Sequence, residues 1–273
     1  MASPTAIALM YGTAWKEDAT ERLVAAALAA GFRAFDTANQ RKHYYEAGVG
    51  AALTSWFAAG HARDELFVQT KFTYRDGQDH RLPYDPDAPI ATQVDQSFER
   101  SLVHLGLDRI DSLVLHGPSQ RDGLGGADRA AWAAMEQLAL AKRVGVLGIS
   151  NATAEQIDEL AAISRVPIAF VQNRCYADRG WDRAARAACA RHGIRYQGFS
   201  LLTANRQVVT GQVVRAIAAR HQATPAQIVF AFARGLAMLP LTGTSDPQHM
   251  AQDLQAIAIE LDRDELSAIE RAA

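Results

Sequence analysis

The chain contains 273 residues, of which 49% are hydrophobic and 21% are charged, and its formal net charge at pH 7 is −2. This composition is typical of a globular protein with an ample core, and the charge gives no electrostatic reason to expect binding to nucleic acid or to an anionic membrane. No apolar run approaches the roughly 20 residues that a membrane-spanning helix needs, and Met1 to Ala14 has no leader pattern, so a cytoplasmic protein is predicted.

Short apolar runs rich in β-branched or aromatic residues recur along the chain, and each is followed by a segment with helical periodicity. The predicted strands are 7–13, 32–37, 66–72, 111–117, 144–150, 168–173, 195–200 and 237–243. Asp18 and Glu21 have the spacing of a capping box for the first predicted helix, which ends at Gly31. The later predicted helices are 46–60, 91–106, 128–142, 153–163, 181–192, 208–221, 247–258 and 263–272.

This regular alternation of strand and helix predicts a parallel sheet. Eight such units in about 250 residues favour a closed (β/α)8 TIM barrel over an open doubly wound sheet. No composition shift or Ser/Gly-rich linker divides the chain, so residues 1–273 are predicted to form a single α/β barrel domain. The longest irregular stretch, 73–89, has the length and the Pro, Gly and Asp content of a functional or mobile loop.

The cysteines of the chain argue against disulfides and a zinc site, and its cations are mostly arginines. Cys175 and Cys189 are too few for a disulfide framework, and no Cys/His set has zinc-site spacing, so reduced thiols and no metal site are predicted. Only four of the 28 basic residues are lysines, which makes each lysine informative.

Polar residues stand at the ends of the second, third and fourth predicted strands, namely Asp36, Lys71 and His116. In a parallel barrel these ends converge on the active site. A lysine inside an apolar strand must reach solvent or be paired, and Asp36 is the natural partner of Lys71. Taken singly, these residues are compatible with a structural ion pair and a core histidine. Three of them at one level favour an active site.

The segment between Asp36 and the next predicted helix carries the cluster Arg41 to Tyr45. A tyrosine has an ordinary pKa near 10, and a neighbouring cation lowers it. A tyrosine beside Lys71 would therefore act as a tuned general acid, and a histidine beside it could orient a bound carbonyl. This chemistry fits carbonyl reduction.

The last strand leads into a small-residue turn, 239–250, in which Ser245 or Asp246 is the predicted helix cap. Barrel proteins commonly bind phosphate in this place, although an ordinary capped turn would have the same sequence. The segments GISN (148–151) and VQN (171–173) end the fifth and sixth strands in side chains able to hold a carboxamide.

Together these residues resemble the aldo-keto reductase family over almost the whole chain. The family pattern D-T-A-x-x-Y-x-N-E-x-x-V-G is approximated by residues 36–50, and the strand-end lysine and histidine of the family match Lys71 and His116. The segments YGTAW (11–15) and GFSLL (198–202) resemble further motifs of the family.

The resemblance implies hydride transfer from a nicotinamide cofactor, NADPH or alternatively NADH, to an aldehyde or ketone. It implies that a tyrosine donates the proton, that Lys71 and Asp36 tune the tyrosine, and that His116 fixes the substrate oxygen. The cofactor-binding residues are predicted to be Gly12, Thr13, Ser150, Asn151, Gln172, Phe199, Ser200, Leu201, Leu202, Gly243, Thr244, Ser245, Gln248 and Gln252. Trp15 and Tyr45 are the predicted substrate contacts.

The sequence departs from the family pattern in the loop that should carry the tyrosine. This loop is two residues longer than the pattern, so the tyrosine position falls on Arg41 counted from Asp36 and on His43 counted back from Glu46. Tyr44 is therefore the predicted proton donor, with Tyr45 as the reserve.

Two further departures concern the cofactor and the pocket. No Lys or Arg lies between Arg234 and Arg263, where many members hold the 2′-phosphate of NADP, so Arg206 and His249 are the candidate cations. The N-terminal hairpin and the C-terminal tail of the family are predicted to be reduced. An open pocket and broad acceptance of aldehydes and ketones follow.

Two other classes of protein remain open from the residues. One is a barrel aldolase or lyase that forms a Schiff base through Lys71, and the other is a non-catalytic regulatory barrel that retains the cofactor site. The predicted partner is a small-molecule carbonyl substrate, with no nucleic acid and no membrane, and the protein is expected to be a monomer or a weak homo-oligomer.

Overall fold

The computed structural model describes residues 6–272. Eight parallel strands form a closed barrel in chain order, and the last strand pairs with the first. The strands are β1 (Met10–Gly12), β2 (Ala34–Asp36), β3 (Phe67–Phe72), β4 (Ile110–Leu115), β5 (Val144–Ser150), β6 (Ile168–Arg174), β7 (Arg195–Phe199) and β8 (Leu239–Thr242). The predicted (β/α)8 barrel is confirmed.

The helices surround this barrel. They are α1 (Thr20–Ala30), α2 (Glu46–Ala58), α3 (Ile90–Leu105), α4 (Gly126–Leu140), α5 (Ala154–Ile163), α6 (Arg183–Arg191), α7 (Arg206–Val209), α8 (Gln212–Arg220), α9 (Pro225–Gly235), α10 (Pro247–Gln255) and α11 (Arg263–Arg271). None of the helices within residues 6–272 combines the length and the apolar character that crossing a bilayer requires.

Helix α9 is absent from the sequence prediction. It begins with a capping box, in which the Thr224 hydroxyl accepts the backbone N–H of Gln227, and Pro225 occupies the first turn. Every residue from Gln227 to Ala233 is buried. The alternation of strand and helix predicts one helix between the seventh and eighth strands, and 208–221 was assigned there, so this additional helix was missed.

Two other details of the prediction are wrong. Asp18 does not cap α1, because it lies inside a 3₁₀ turn, Glu17–Ala19, and the helix begins at Thr20 without a side-chain cap. The predicted helix 208–221 is divided into α7 and α8 at Gly211, where an added Cβ would lie 3.0 Å from the carbonyl oxygen of Gln207. Glycine permits this close turn.

The barrel interior is divided into an apolar and a polar end. A small cluster of buried residues at the amino ends of the strands includes Met10, Ala34, Phe67, Phe170 and Leu239. A larger apolar cluster lies between the strands and the helices. The polar side chains Asp36, Lys71 and Gln172 lie toward the opposite, carboxyl ends of the strands, where the loops converge.

The prediction of a reduced N-terminal hairpin and a short C-terminal tail is tested only in part. No strand precedes β1 within residues 6–9, and α11 is followed by Ala272 alone in the described range. The remainder of that prediction, on residues 1–5 and Ala273, lies outside the described residues. Cys175 and Cys189 are both free and buried.

Candidate active site

A buried ion pair lies at the carboxyl ends of β2 and β3. The ammonium of Lys71 donates to both carboxylate oxygens of Asp36, at 2.7 and 2.8 Å, and to the carbonyl oxygen of Thr37 at 2.8 Å. Lys71 is 1% exposed and Asp36 is 3% exposed. Burial alone would lower the pKa of Lys71, but the charge and hydrogen bonds of Asp36 raise it above the ordinary value. The lysine therefore stays charged.

A layer of glutamine side chains lies beneath this pair, and sequence reasoning found only one of its members. The amide groups of Gln69 and Gln172 donate to Asp36 Oδ1 at 2.7 and 2.9 Å, and both also donate to Gln197 Oε1. These contacts orient the Asp36 carboxylate from below. Alternation along β3 and β7 places Gln69 and Gln197 inward, so buried amides within otherwise apolar strands were the available signal.

Tyr44 is held above Lys71 by contacts of its loop. The backbone N–H of Tyr44 donates to the carbonyl of Gln40 at 2.9 Å, and the Gln78 amide donates to the carbonyl of Asn39 at 2.8 Å. The ring centroid of Tyr44 lies 4.8 Å from Lys71 Nζ. Burial raises the pKa of Tyr44, and the charge of Lys71 opposes that effect without reversing it. The hydroxyl is therefore protonated before any reaction.

Tyr45 points away from this cluster. It is the residue that immediately precedes α2. Its ring lies 4.4 Å from the guanidinium of Arg41. Tyr45 does not line the cavity that Asp36, Tyr44 and His116 share, and the structure therefore does not bring this predicted substrate contact to the site.

His116 follows β4 and faces Tyr44, with 5.9 Å between the ring centroids. Its Nδ1 lies 2.6 Å from the hydroxyl of Thr73, and its carbonyl accepts the Asn151 amide at 2.8 Å. Burial, and after it the positive charge of Lys71, holds the pKa of His116 well below the ordinary value. The imidazole is therefore neutral.

These side chains border a cavity of about 640 Å³, here called the central cavity. It extends from Tyr44 and His116 across the barrel to the ends of β7 and β8. The predicted residues that line it are Gly12, Trp15, Asp36, Tyr44, His116, Ser150, Gln172, Phe199, Ser200, Leu201, Leu202, Gly243, Thr244 and Ser245.

The remaining predicted cofactor residues do not line this cavity. The Thr13 hydroxyl donates to the carbonyl of Asp36 at 2.9 Å, and Asn151 bonds to His116 and to Ser150. Gln248 is exposed in the first turn of α10, and the carbonyl of Gln252 accepts the Gln227 amide. The candidate phosphate cations Arg206 and His249 do not line the central cavity either.

Two cations that sequence reasoning did not assign do line it. Lys16 is 8% exposed and donates to the carbonyl of Gly243 at 2.6 Å, and no carboxylate pairs with it in the described part of the chain. Burial lowers its pKa to about 8. Arg22, on α1, borders the same cavity and makes no ion pair within residues 6–272. The scarcity of lysine in the chain was the signal for Lys16.

Trp15 stands at the mouth of the central cavity. It is 70% exposed, and its ring lies 4.0 Å from that of His43, measured between centroids. The backbone N–H of Trp15 donates to the carbonyl of His43 at 2.7 Å. The β1 loop is thereby fastened to the loop that carries Tyr44.

The fold and this cluster define a (β/α)8-barrel protein with titratable side chains around a cavity at the carboxyl ends of its strands. The sequence model of the Aldo/keto reductase family matches residues 8–273, and the chain belongs to that family. The family carries out NAD(P)H-dependent carbonyl reduction, as the resemblance implied.

Two relatives agree with this assignment. The chain is 30% identical over 253 residues to an aldo-keto reductase of Mycobacterium tuberculosis, covering 93% of this chain and 82% of that protein. It is also 30% identical over 267 residues to the methylglyoxal reductase of Salmonella typhimurium, covering 93% and 88% of the two chains.

Solved structures show the same fold. An aldo-keto reductase from a Medee basin deep-sea metagenome library superposes with a TM-score of 0.82 at 21% identity, over 97% of this chain and 90% of that one. An aldo-keto reductase of Bombyx mori, solved in complex with NADP, superposes with a TM-score of 0.82 at 22% identity, over 97% and 88% of the two chains.

Proposed function

We propose that this protein reduces aldehydes and ketones with NADPH, and that Tyr44 is the proton donor. The observation that carries the proposal is the placement of Tyr44, which stands on the wall of the central cavity 4.8 Å from a lysine that Asp36 keeps charged. His116 lies on the other side of the same tyrosine. A protonated acid, a fixed cation and a neutral imidazole around one cavity are the groups that carbonyl reduction requires.

The central cavity has the polar groups that a phosphate-bearing nicotinamide cofactor needs. Lys16 is a buried cation that no carboxylate of residues 6–272 pairs with, and burying an uncompensated charge is costly unless an anion joins it. An added Cβ at Gly243 would lie 4.0 Å from Lys16 Nζ, so glycine leaves the approach to the ammonium open. We propose that Lys16 and Arg22 hold cofactor phosphate together with residues 200–202 and 243–245, and that Phe199 packs on the nicotinamide. When bound, the reduced nicotinamide supplies the hydride.

Tyr44 supplies the proton. Because its pKa is raised by burial, its hydroxyl remains protonated until the substrate oxygen gains negative charge. The tyrosinate that is left is then stabilised by Lys71, and Asp36 keeps Lys71 in the charged form that this requires. Gln69 and Gln172 hold the Asp36 carboxylate in place throughout.

His116 positions the substrate oxygen. If the Thr73 hydroxyl donates to Nδ1, the ring proton lies on Nε2 and can be donated to the carbonyl. The low pKa of His116 keeps the ring neutral, so it polarises the carbonyl without competing with Tyr44 for the role of acid.

The open mouth of the central cavity supports a broad range of carbonyl substrates. Trp15, which lines this cavity, is 70% exposed and so offers aromatic surface to a substrate at the mouth. Because one relative is a methylglyoxal reductase, a 2-oxoaldehyde is the first substrate to test.

The Schiff-base alternative is not favoured by the geometry. Lys71 Nζ already donates to three oxygens, and its pKa is raised, so it has no free lone pair with which to attack a carbonyl. The non-catalytic alternative was based on the displaced tyrosine, and Tyr44 occupies the place beside Lys71 despite the longer loop.

The deciding experiment is a pair of parallel fluorescence titrations with NADPH and NADH, followed by turnover of methylglyoxal with whichever cofactor binds. Binding with turnover supports the proposal. Binding without turnover of any aldehyde or ketone in a panel would favour the non-catalytic alternative, and binding of neither cofactor would refute the proposal.

A further inference from the structure

A second cavity lies behind Tyr44, on the side away from the central cavity. Its volume is about 320 Å³, within the range of small-ligand sites, and we call it the rear cavity. Its walls come from the loop before α2, from residues 81–83 and from α3. Within the described part of the chain, Tyr44 alone lines both cavities.

Three arginines from three different segments line the rear cavity. They are Arg41, Arg81 and Arg100. Arg100, on α3, makes no ion pair and no side-chain hydrogen bond with any residue in 6–272. The carboxylates paired with the other two arginines, Glu17 and Asp79, do not line the cavity. Each guanidinium has five N–H donors, so these pairs leave donors free.

The carboxylate that lines the rear cavity is already engaged elsewhere. Glu46 is 3% exposed, and its oxygens accept hydrogen bonds from Thr70 and Ser101 and lie 3.1 Å from Nδ1 of His104. It makes no ion pair with the arginines of the cavity. The wall of the rear cavity therefore carries the guanidinium groups of three arginines, and the carboxylate in that wall forms no ion pair with them.

Part of the remaining wall of the rear cavity is apolar, formed by Leu82, Pro83 and Tyr45. The amides of Asn39 and Gln40, which also line the cavity, already donate to the backbone carbonyls of Ser97 and Gly77. A ligand that fits this cavity would have one oxyanion group, which accepts hydrogen bonds from the guanidinium groups. It would also have a compact apolar or aromatic body, which contacts the apolar side chains.

We propose that the rear cavity is a second ligand site, which binds a small organic oxyanion, a carboxylate or a phosphate monoester, through Arg100 together with Arg41 and Arg81. The occupant would rest against the back of the Tyr44 loop. It would also lie beside Glu46, whose carboxylate bonds to Thr70, the residue before Lys71 in β3.

The test uses the full chain saturated with NADPH and titrated with benzoate, phenyl phosphate and benzamide, followed by calorimetry or ligand-observed NMR. Benzamide is the neutral isostere of benzoate. We expect at least one of the two oxyanions to bind about tenfold or more tightly than benzamide, because charge-assisted contacts to arginine are lost with the neutral probe. The better of the two oxyanions identifies the preferred anionic group.

Variants locate the site. Arg100→Gln should weaken oxyanion binding about tenfold or more and leave NADPH affinity unchanged, whereas Arg215→Gln, which alters an exposed arginine on α8, should change neither. Trp15→Ala, at the mouth of the central cavity, should leave oxyanion binding intact. The proposal is overturned if neither oxyanion binds, if benzamide binds equally well, if binding is unchanged in Arg100→Gln, or if binding is lost in Trp15→Ala.

Discussion

The ring centroid of Tyr44 lies 4.8 Å from the ammonium of Lys71, although the loop that carries the tyrosine is two residues longer than the family pattern. The extra length is accommodated by a turn in which the backbone N–H groups of His43 and Tyr44 both donate to the carbonyl of Gln40. The loop is also fastened from outside, because Trp15 bonds to the His43 carbonyl. A tyrosine that is displaced in sequence is in this way placed beside the lysine in space.

Tyr44→Phe should lower kcat for carbonyl reduction by about 100-fold or more and leave the Kd for NADPH within about twofold, because it removes the hydroxyl of the proposed proton donor and little else. Steady-state kinetics and fluorescence titration measure the two quantities. Tyr45→Phe is the matched control and should retain nearly full activity, since its ring packs under Arg41. Normal turnover in Tyr44→Phe would refute the assignment of the acid.

Lys16→Met should weaken NADPH binding about tenfold or more by removing a cation from the cofactor site. In the wild-type protein the pKa of Lys16 is lowered to about 8, so its positive charge is present below pH 8 and is lost as the pH rises through that value. The Kd for NADPH should accordingly increase between about pH 7 and pH 9 in the wild type.

The same titrations on Lys16→Met should show a flatter pH profile. An equal loss of affinity for NADPH and NADH would indicate contact with the diphosphate, and a larger loss for NADPH would indicate contact with the 2′-phosphate. Unchanged affinity for both cofactors would show that Lys16 is not a phosphate ligand.

Replacing one partner of the buried ion pair should be more harmful than replacing both. Lys71→Met or Asp36→Asn alone leaves a buried, uncompensated group, and each should reduce the free energy of unfolding by about 3–5 kcal/mol. The double variant should recover part of that loss. Urea denaturation of the four proteins provides the measurement, and strictly additive losses would contradict the prediction.

Gly50→Ala should destabilise the packing of α2 on α3. An added Cβ at Gly50 would lie 2.0 Å from the carbonyl oxygen of His104, and this is backbone that cannot rotate away. We expect a loss of about 3 kcal/mol in the free energy of unfolding. Gly126→Ala is the control, because an added Cβ there meets nothing within 4 Å. Equal melting temperatures for the two variants would show that the helices can separate freely.

Asp253→Asn should change how stability depends on pH. Burial raises the pKa of Asp253 to about 6 in the folded protein, from an ordinary value of 3.8, while Thr242 donates to its carboxylate at 2.6 Å. Between these two values the folded state binds more protons than the unfolded state, so stability decreases as the pH rises through this window.

The Asn variant lacks that decrease. Relative to the wild type it should be more stable above pH 6 by up to about 3 kcal/mol, with no such gain below pH 4. Chemical denaturation at pH 4, 5, 6 and 7 measures the difference. A constant difference across this range would mean that Asp253 is not the titrating group.

The sequence predicted the barrel, and it predicted the end of the barrel at which the candidate site lies, because both follow from local patterns. Eight apolar runs alternate with helical segments, and in a parallel barrel all strand ends of one kind meet at the same face. Asp36, Lys71 and His116 can therefore be grouped from the sequence alone. Helix α9 escaped the same reasoning because the alternation assigns one helix to each strand, whereas this chain has an additional helix before β8.

The tertiary structure alone decided which tyrosine reaches Lys71, and which cations and amides complete the site. Tyr44 and Tyr45 are adjacent in sequence, and contacts from distant segments, such as Trp15 with His43, fix the direction of each ring. Lys16 likewise reaches the central cavity only because β1 and β8 are neighbours in the closed barrel. Residues a few positions apart set the periods of strands and helices, so these periods can be read from the sequence. The direction of a loop side chain depends on residues far away in the chain, so only the fold decides that direction.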